Sequence, residues 1–492
     1  MEMHMRTLRA GSAVVAGLAL FLTAGAAAPP ASAAATGTAS VVVDFTKAGG
    51  PLPADLVGLS FEMRELGIGN LDARKGNMVQ LFKTLGPSNV RIAGNTLDRD
   101  GIWLPEGRAM PQPHPEWLQH VVTRSDIERL DDFLDATDWK TEIGINLGRW
   151  DAAAAADQAK VMTRVLGKRL VAAECGNEPD QWVGKGFRPA GFSYADYLKD
   201  FQACAAAVGP AIPLAGPDAA APNSVWAANL ARDANDRLSQ VMLHQYAMDP
   251  TGTMERLLSR DTYDKQLRTI TPNLDAAKAL GIPLRLDETN SAWGGGIDGV
   301  SNKHGSALWA LDYSLQLGQA GVAGLNFHGG LGVCDQPIWN GKWQIYTPIC
   351  AASKAGELAQ IYKVMPIYYG LWMARQLGSG HFLPVTLTTD RNVTAYAVKG
   401  RDGRLRLAVI SKEDPSAGPV AVSVSVGGRN RAAQVIRMTG SSLAGVDTAV
   451  QGATVDHLGR LKPGPADRVP VRSGALTVEL AAGSAAVVTL DR

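Results

Sequence analysis

The sequence is short of net charge. Against 48 lysines and arginines stand 47 aspartates and glutamates, a formal balance of +1 at pH 7. That balance excludes long-range steering of a polyanion and argues against a nucleic-acid partner held by global charge, while leaving room for a local basic patch. Cysteine is scarce as well, with four in 492 residues, and the eight histidines are scattered. Neither C-x-x-C nor H-E-x-x-H occurs, so no metal or other cofactor is expected. Beyond the N-terminal leader there is no internal repeat and no low-complexity tract. What the chain does have is apolar material: 46% hydrophobic and only 19% charged residues, enough for a sizeable core and unlike a disordered chain.

Residues 1–33 begin with the basic Arg6 and Arg9, continue as an apolar stretch from Gly11 to Ala28, and end in Pro29-Pro30 and the small-residue exit Ala31-Ser32-Ala33. This is the pattern of a secretory signal peptide, so the mature protein is expected to be secreted and free of the membrane. The competing reading is an uncleaved anchor, but the stretch is Ala/Gly-rich and barely spans a bilayer. No cysteine lies there for a lipid anchor, and the two arginines are not adjacent as twin-arginine export requires. In an exported chain four cysteines invite disulfides. Cys334 with Cys350 is the expected bridge, because closing a loop of about 15 residues stabilises by roughly 3 kcal/mol. Cys175 and Cys204 are read equally well as a bridge or as two buried thiols.

The chain beyond the leader is too long for one ordinary compact domain. Between Leu56 and Phe327 eight short apolar runs alternate with helical patterns: Leu56–Met63, Asn89–Ala93, Glu142–Asn146, Leu170–Cys175, Pro213–Ala215, Gln240–His244, Pro283–Leu286 and Gly324–Phe327. Alternation predicts a parallel sheet, and eight repeats predict a (β/α)8 barrel over residues 50–379. Helix ends are legible in places. Ser193 with Asp196 predicts a capped start before Leu198, Phe201, Ala205 and Val208, and Ser301 is expected to cap a helix carrying Leu308, Leu311 and Leu315. After Gly380 the period changes to two, as in Val420 to Val426, with turns at Asp402-Gly403, Gly427-Gly428 and Gly474. Residues 380–492 therefore read as a β-sandwich, which a strand within 38–46 is expected to join.

Functional groups of such a barrel gather at the C-terminal ends of its strands. Two carboxylates stand there: Glu178, in Gly176-Asn177-Glu178-Pro179 after the fourth run, and Glu288, in Asp287-Glu288-Thr289-Asn290-Ser291 after the seventh. Two carboxyl groups facing each other across a bond, one protonated and one ionised, are what glycoside hydrolysis needs.

With Gly58-Leu59-Ser60-Phe61-Glu62, Val90-Arg91-Ile92-Ala93-Gly94-Asn95, His244-Gln245-Tyr246 and the run Ala292-Trp293-Gly294-Gly295-Gly296 added, the chain resembles glycoside hydrolase family 79, the β-glucuronidase and heparanase family. The resemblance runs from the first strand to the seventh. It implies a retaining mechanism with Glu178 as acid/base and Glu288 as nucleophile, their carboxyls about 5 to 5.5 Å apart. On the same ground Asn177 would bond the sugar 2-hydroxyl, and Gly294, Gly295 and Tyr346 would hold the uronate carboxylate. Glu62, Asn95 and Tyr246 would meet hydroxyls, and His244 would line the same wall or sit buried at a strand end. A resting pKa raised by the charge of Glu288 is expected for Glu178. Trp293 departs from the tyrosine common in the family at that place and favours a 4-O-methylated or capped uronate. Trp339, Trp343 and Tyr346 are read as an aromatic rim or as ordinary packing.

The expected partner is a carbohydrate bearing β-linked uronic acid. Two other readings stand beside it: a retaining β-glycosidase for a neutral sugar such as a xyloside or glucoside, and a secreted glycan-binding protein without catalysis.

Overall fold

The computed structural model describes residues 37–490, apart from 335, 338–343 and 428–431. Its centre is a closed barrel of eight parallel strands: β1 (Val57–Glu62), β2 (Asn89–Ala93), β3 (Lys140–Ile145), β4 (Leu170–Cys175), β5 (Leu214–Ala219), β6 (Leu238–Met248), β7 (Leu284–Ala292) and β8 (Gly324–Gly329). Pairing of Leu325–Gly329 with Val57–Phe61 closes the ring. One principal helix follows each strand in turn: α1 (Met78–Leu85), α2 (Arg124–Thr137), α3 (Ala152–Leu166), α4 (Tyr194–Val208), α5 (Trp226–Asp233), α6 (Arg260–Ala279), α7 (His304–Ala320) and α8 (Pro366–Arg375). The fold class is the one the sequence predicts.

Strand ends differ from the apolar runs in an informative way. The sixth and seventh strands run on to Met248 and Ala292, so Glu288 lies inside β7. Apolarity could not mark this extension, because the buried residues there, Asp287 to Ser291, are polar and find partners across the barrel mouth.

The helix starts illustrate two solutions to unpaired N–H groups. Ser193 and Asp196 form the expected capping box of α4. Ser301 does not cap α7, which begins three residues later at His304. There the first N–H groups are taken by carbonyls of a distant loop, His304 N–H by Gly445 and Gly305 N–H by Leu443. Ser301 instead accepts from the Ile297 N–H at 2.9 Å and from Ser291 Oγ at 2.8 Å, and so pins the loop after β7.

The β-rich part forms two sheets. One runs Val385–Thr388, Gly37–Val43, Val420–Ser425, Ala475–Leu480. The other is larger and includes Gly380–Leu383, Val393–Gly400, Leu405–Ser411, Ser484–Leu490 and Ala432–Thr439. Alternation splits the larger sheet between two cores. Leu407 and Val409 pack with Val41, Val422 and Val424 between the sheets, whereas Ala408 and Ile410 join the core of the barrel. A buried ion pair from Lys412 Nζ to Asp312 Oδ2 on α7, at 2.5 Å, adds a polar tie across the same boundary. Both disulfides are formed: Cys334–Cys350, and Cys175–Cys204, which links the end of β4 to α4.

Candidate active site

At the C-terminal mouth of the barrel a cavity of about 740 Å³ opens, lined among others by Glu62, Asn95, Glu178, Tyr246, Glu288 and Tyr346. One carboxylate oxygen of Glu178, one of Glu288 and one ring nitrogen of His244 all lie within 4.8 Å of each other.

Glu178 is held by its backbone. Its φ of 51° and ψ of 55° put it in the left-handed region, a conformation that costs energy for a residue with a side chain. The surroundings over-determine it: its N–H donates to the Asp218 carbonyl at 3.0 Å, Asn177 N–H to Asp98 Oδ2 at 2.7 Å, and Trp182 Nε1 to the Asn177 carbonyl at 2.9 Å. Asp180 then accepts from the N–H groups of Ala220 and Ala221, tying the turn after β4 to that after β5.

Glu288 is buried, with protein groups in the place of water. Arg91 Nη1 donates to one of its oxygens at 2.9 Å and Tyr246 Oη to the other at 2.7 Å. Burial pushes its pKa up, but His328, His244, Arg91 and the Tyr246 hydrogen bond outweigh that and hold it well below the usual carboxylate range. It is ionised at any working pH.

Glu178 reverses the expectation of a raised pKa. Burial and Glu288 do push it up, yet Lys185 and His244 win and bring it down to about 2. Lys185 Nζ lies 2.5 Å from Glu178 Oε2, and His244 Nδ1 lies 3.1 Å from Oε1. One neighbouring anion is thus outmatched by two cations at closer range. The ring of His244 is itself raised to about 10, because Glu288 and Asp287 overcome the penalty of its burial.

His244 is therefore not part of the cavity wall. It is fully buried, between Glu178 and Asp287 (Nε2 to Oδ2, 3.2 Å), and holds Glu178 from behind. Asn177 is buried too, its Oδ1 accepting from Arg91 Nη2 at 2.8 Å, while its Nδ2 has no protein partner among the described residues. Glu62 faces the cavity with Oε2 fixed by Thr96 N–H and Oγ1 at 2.7 and 2.8 Å. Asn95 accepts from Lys185 at 2.6 Å.

On the same cavity wall the loop after β7 presents Trp293, Gly294 and Gly295. Three successive glycines adopt positive φ, 78°, 105° and 91°, which residues with a Cβ rarely tolerate. At Gly296 a Cβ would stand 2.9 Å from the Tyr346 nitrogen. The Gly295 carbonyl accepts from Ile345 and Tyr346 N–H, so the glycine loop and Tyr346 form one unit. The Tyr346 ring stacks with Tyr246 at 5.9 Å. Trp293 is 54% exposed at the rim. Trp339 and Trp343 lie outside the described residues.

Sequence reasoning alone gives no role to Arg91, Glu174, Asp218, Asp287, Lys185 or His328. Arg91 is fully buried, with Nε 2.9 Å from Glu174 and 3.0 Å from Asp287. Burial, with Asp287 and Glu142 adding to it, drives Glu174 up to about 8, and burial with Glu174 and Asp287 drives Asp218 far above its usual range. Arg91 and His244 are the cations set among these buried carboxyls. Two groups of donors, Glu178/His244/Glu288 and Asp218/His244/Asp287, have the residue types of a metal site. In both, the cationic place is taken by the protonated His244, and Arg91 adds a second cation beside them.

No model of a known protein family matches the chain. A β-glucuronidase from Aspergillus niger is 26% identical over 282 residues, covering 50% of this chain and 48% of that protein. The chain thus aligns with about half the length of this curated relative. Among solved structures, a 4-O-α-L-rhamnosyl-β-D-glucuronidase from Fusarium oxysporum superposes with a TM-score of 0.72 at 20% identity, covering 92% of this chain and 100% of that one. A family 51 arabinofuranosidase from Xanthomonas axonopodis pv. citri gives 0.68 at 16% identity, with the same coverage. A β-xylosidase from Caulobacter crescentus gives 0.61 at 15% identity, covering 92% and 99%. Likenesses that span barrel and sheets together establish the architecture: a (β/α)8 barrel with an appended β-domain.

Proposed function

We propose that the chain is a secreted glycoside hydrolase of the family 79 kind, releasing β-linked glucuronic acid with retention of configuration. The observation that carries this reading is the pair Glu178 and Glu288, with carboxylate oxygens within 4.8 Å of each other at the barrel mouth. That spacing suits direct attack by one carboxylate, since the inverting arrangement needs room for a water and separations of about 6.5 to 9.5 Å.

In the first step Glu288, ionised and aimed by Arg91 and Tyr246, attacks the anomeric carbon as the bond to the leaving oxygen breaks, and Glu178 gives that oxygen its proton. In the second, Glu178 takes a proton from water, the hydroxyl forms the new bond to the anomeric carbon, and Glu288 departs. Asn177 Nδ2 is the donor for the 2-hydroxyl, a contact that strengthens as positive charge develops on the ring. Gly294, Gly295 and Tyr346 hold the uronate carboxylate, glycine allowing backbone N–H groups to approach an anion closely. The Aspergillus niger relative supports the glucuronide. The exposed Trp293, and the 4-O-rhamnosylated substrate named for the Fusarium oxysporum structure, support a uronate capped at O4.

The test is hydrolysis of aryl β-D-glucuronide, β-D-glucoside and β-D-xyloside, plain and 4-O-methylated glucuronides included. Turnover confined to glucuronides, faster for the capped one and lowered by about 10⁴-fold or more in Glu288→Ala, is the expected result. A preference for xyloside or glucoside would keep the two carboxylates and remove the uronate assignment of Gly294, Gly295 and Tyr346. Full activity of Glu288→Ala would remove the mechanism.

A further inference from the structure

We infer that Lys185 is a latch on Glu178: its ammonium bridges Asn95 and Glu178, and a glycone hydroxyl that takes its place at Asn95 draws it off the carboxylate. The inference rests on the reading of Glu178 as acid/base, and it makes Lys185 a positioning residue for proton transfer.

The bridge is short on both sides, 2.6 Å to Asn95 Oδ1 and 2.5 Å to Glu178 Oε2. Asn95, Glu178 and Lys185 all line the cavity, so a sugar seated there competes for the same atoms. Of the two cations on Glu178, only Lys185 is able to leave. His244 is fully buried and bonded on its far side to Asp287. The Lys185 side chain is 27% exposed, on a turn between Gly184 and Gly186, and its four-carbon stem rotates freely.

The chemistry requires such a movement. With Lys185 in place both oxygens of Glu178 accept from cations, and the proton needed for the leaving group has no favourable position. Burial and the Glu288 charge favour that proton once the ammonium withdraws. Among the described residues the charged groups that act most on Glu178 are Lys185, His244 and Glu288, with Glu62 and Arg99 on the same cavity wall. Only the first changes place, so the carboxyl is ionised before binding and armed after it.

The pH profiles separate the two states, because kcat/KM reports the free enzyme and kcat the complex. On whichever aryl glycoside is turned over, the basic limb of kcat/KM is expected about one pH unit or more below that of kcat in the wild-type protein. Lys185→Met is expected to close this gap and Lys185→Arg to keep it. A wild-type profile without the gap, or a gap that persists in Lys185→Met, overturns the latch. A lysine that merely braces the turn would lower rates without moving the limbs together. Loss of the acid/base reading shows separately, as wild-type activity in Glu178→Ala. Titration of the Glu178 carboxyl by carbon-13 NMR decides the latch even without turnover: an unchanged titration in Lys185→Met overturns it, and a rise supports it.

Discussion

Arg91 shows what a single side chain contributes beneath this site. Its guanidinium, with no exposed surface, meets Glu174, Asp287 and Glu288 at 2.9 to 3.0 Å. Arginine suits the place, since a planar fork reaches several acceptors at once and stays charged. Replacing it with methionine of similar length would strand Asp287 and Glu288 as buried anions with less compensation, at a cost of about 3 to 5 kcal/mol. Urea unfolding of Arg91→Met against the wild-type protein measures this, and a loss under about 1 kcal/mol would show that the cluster relaxes by taking up protons. The residue is visible in the Val90-Arg91-Ile92 run, but its role is not. Reading only strand ends for function passes over a residue that reaches the mouth from the middle of β2. Glu178 and Glu288 are legible because they do sit beyond or near the end of an apolar run. The depressed pKa of Glu178 is not, because it depends on Lys185, seven residues away along an irregular turn, and on His244 from another strand.

At the scale of elements, the fragment that carries Glu178 is held from both ends. The turn after β4 is tied to the turn after β5 through Asp180, and β4 itself is tied to α4 by Cys175–Cys204, a bridge spanning 29 residues of sequence. The sequence leaves this pair open because spacing alone does not say whether a strand and a helix face each other; in the fold their Cα atoms are 6.3 Å apart, within bridging range. In the chain-entropy account a loop of this length stabilises by about 3 to 4 kcal/mol. The double variant Cys175→Ala/Cys204→Ala is expected to lose that much in denaturant unfolding under oxidising conditions. An unchanged midpoint would mean that packing of α4 on β4 alone holds the turn. The loop after β7 has no covalent tie and relies on Ser301 and Tyr346. A serine beside a helical pattern reads as a cap, and only the fold reveals that sheet-domain carbonyls cap α7 and release Ser301 for the glycine loop.

Across the whole molecule, the count of eight strands is legible because each β/α repeat has its own apolar run. The order of the outer sheets is not. In Leu405–Ser411 successive residues are buried on opposite faces, and the alternation that marks a half-exposed strand disappears. One consequence is a titratable group between barrel and sheets. His304, the first residue of α7, is buried with Nε2 2.8 Å from the Gly483 carbonyl and Nδ1 2.9 Å from Thr448 Oγ1. An Nε2–H donor and an Nδ1 acceptor satisfy both partners with the neutral ring, and burial, the largest influence, lowers its pKa from the ordinary histidine value. Below about pH 6.5 the unfolded chain binds a proton that the folded His304 resists, so stability is complete above that pH and falls as pH drops toward the folded pKa. One proton limits the slope to about 1.4 kcal/mol per pH unit. Glu178 and Glu288, whose folded pKa values are depressed, lose their contributions only at lower pH, as they become protonated. Glu174, Asp218 and His244, with raised folded pKa values, favour the fold as pH falls and do so alike in both proteins. The difference in unfolding free energy from pH 7.5 to 5.5 is therefore expected to be less favourable to the wild-type fold than to that of His304→Gln, whose amide keeps a donor near Gly483 and cannot titrate. Equal differences in the two proteins would mean that the barrel and the sheets are joined by contacts indifferent to this proton, chiefly the apolar face of the larger sheet and the Lys412–Asp312 pair.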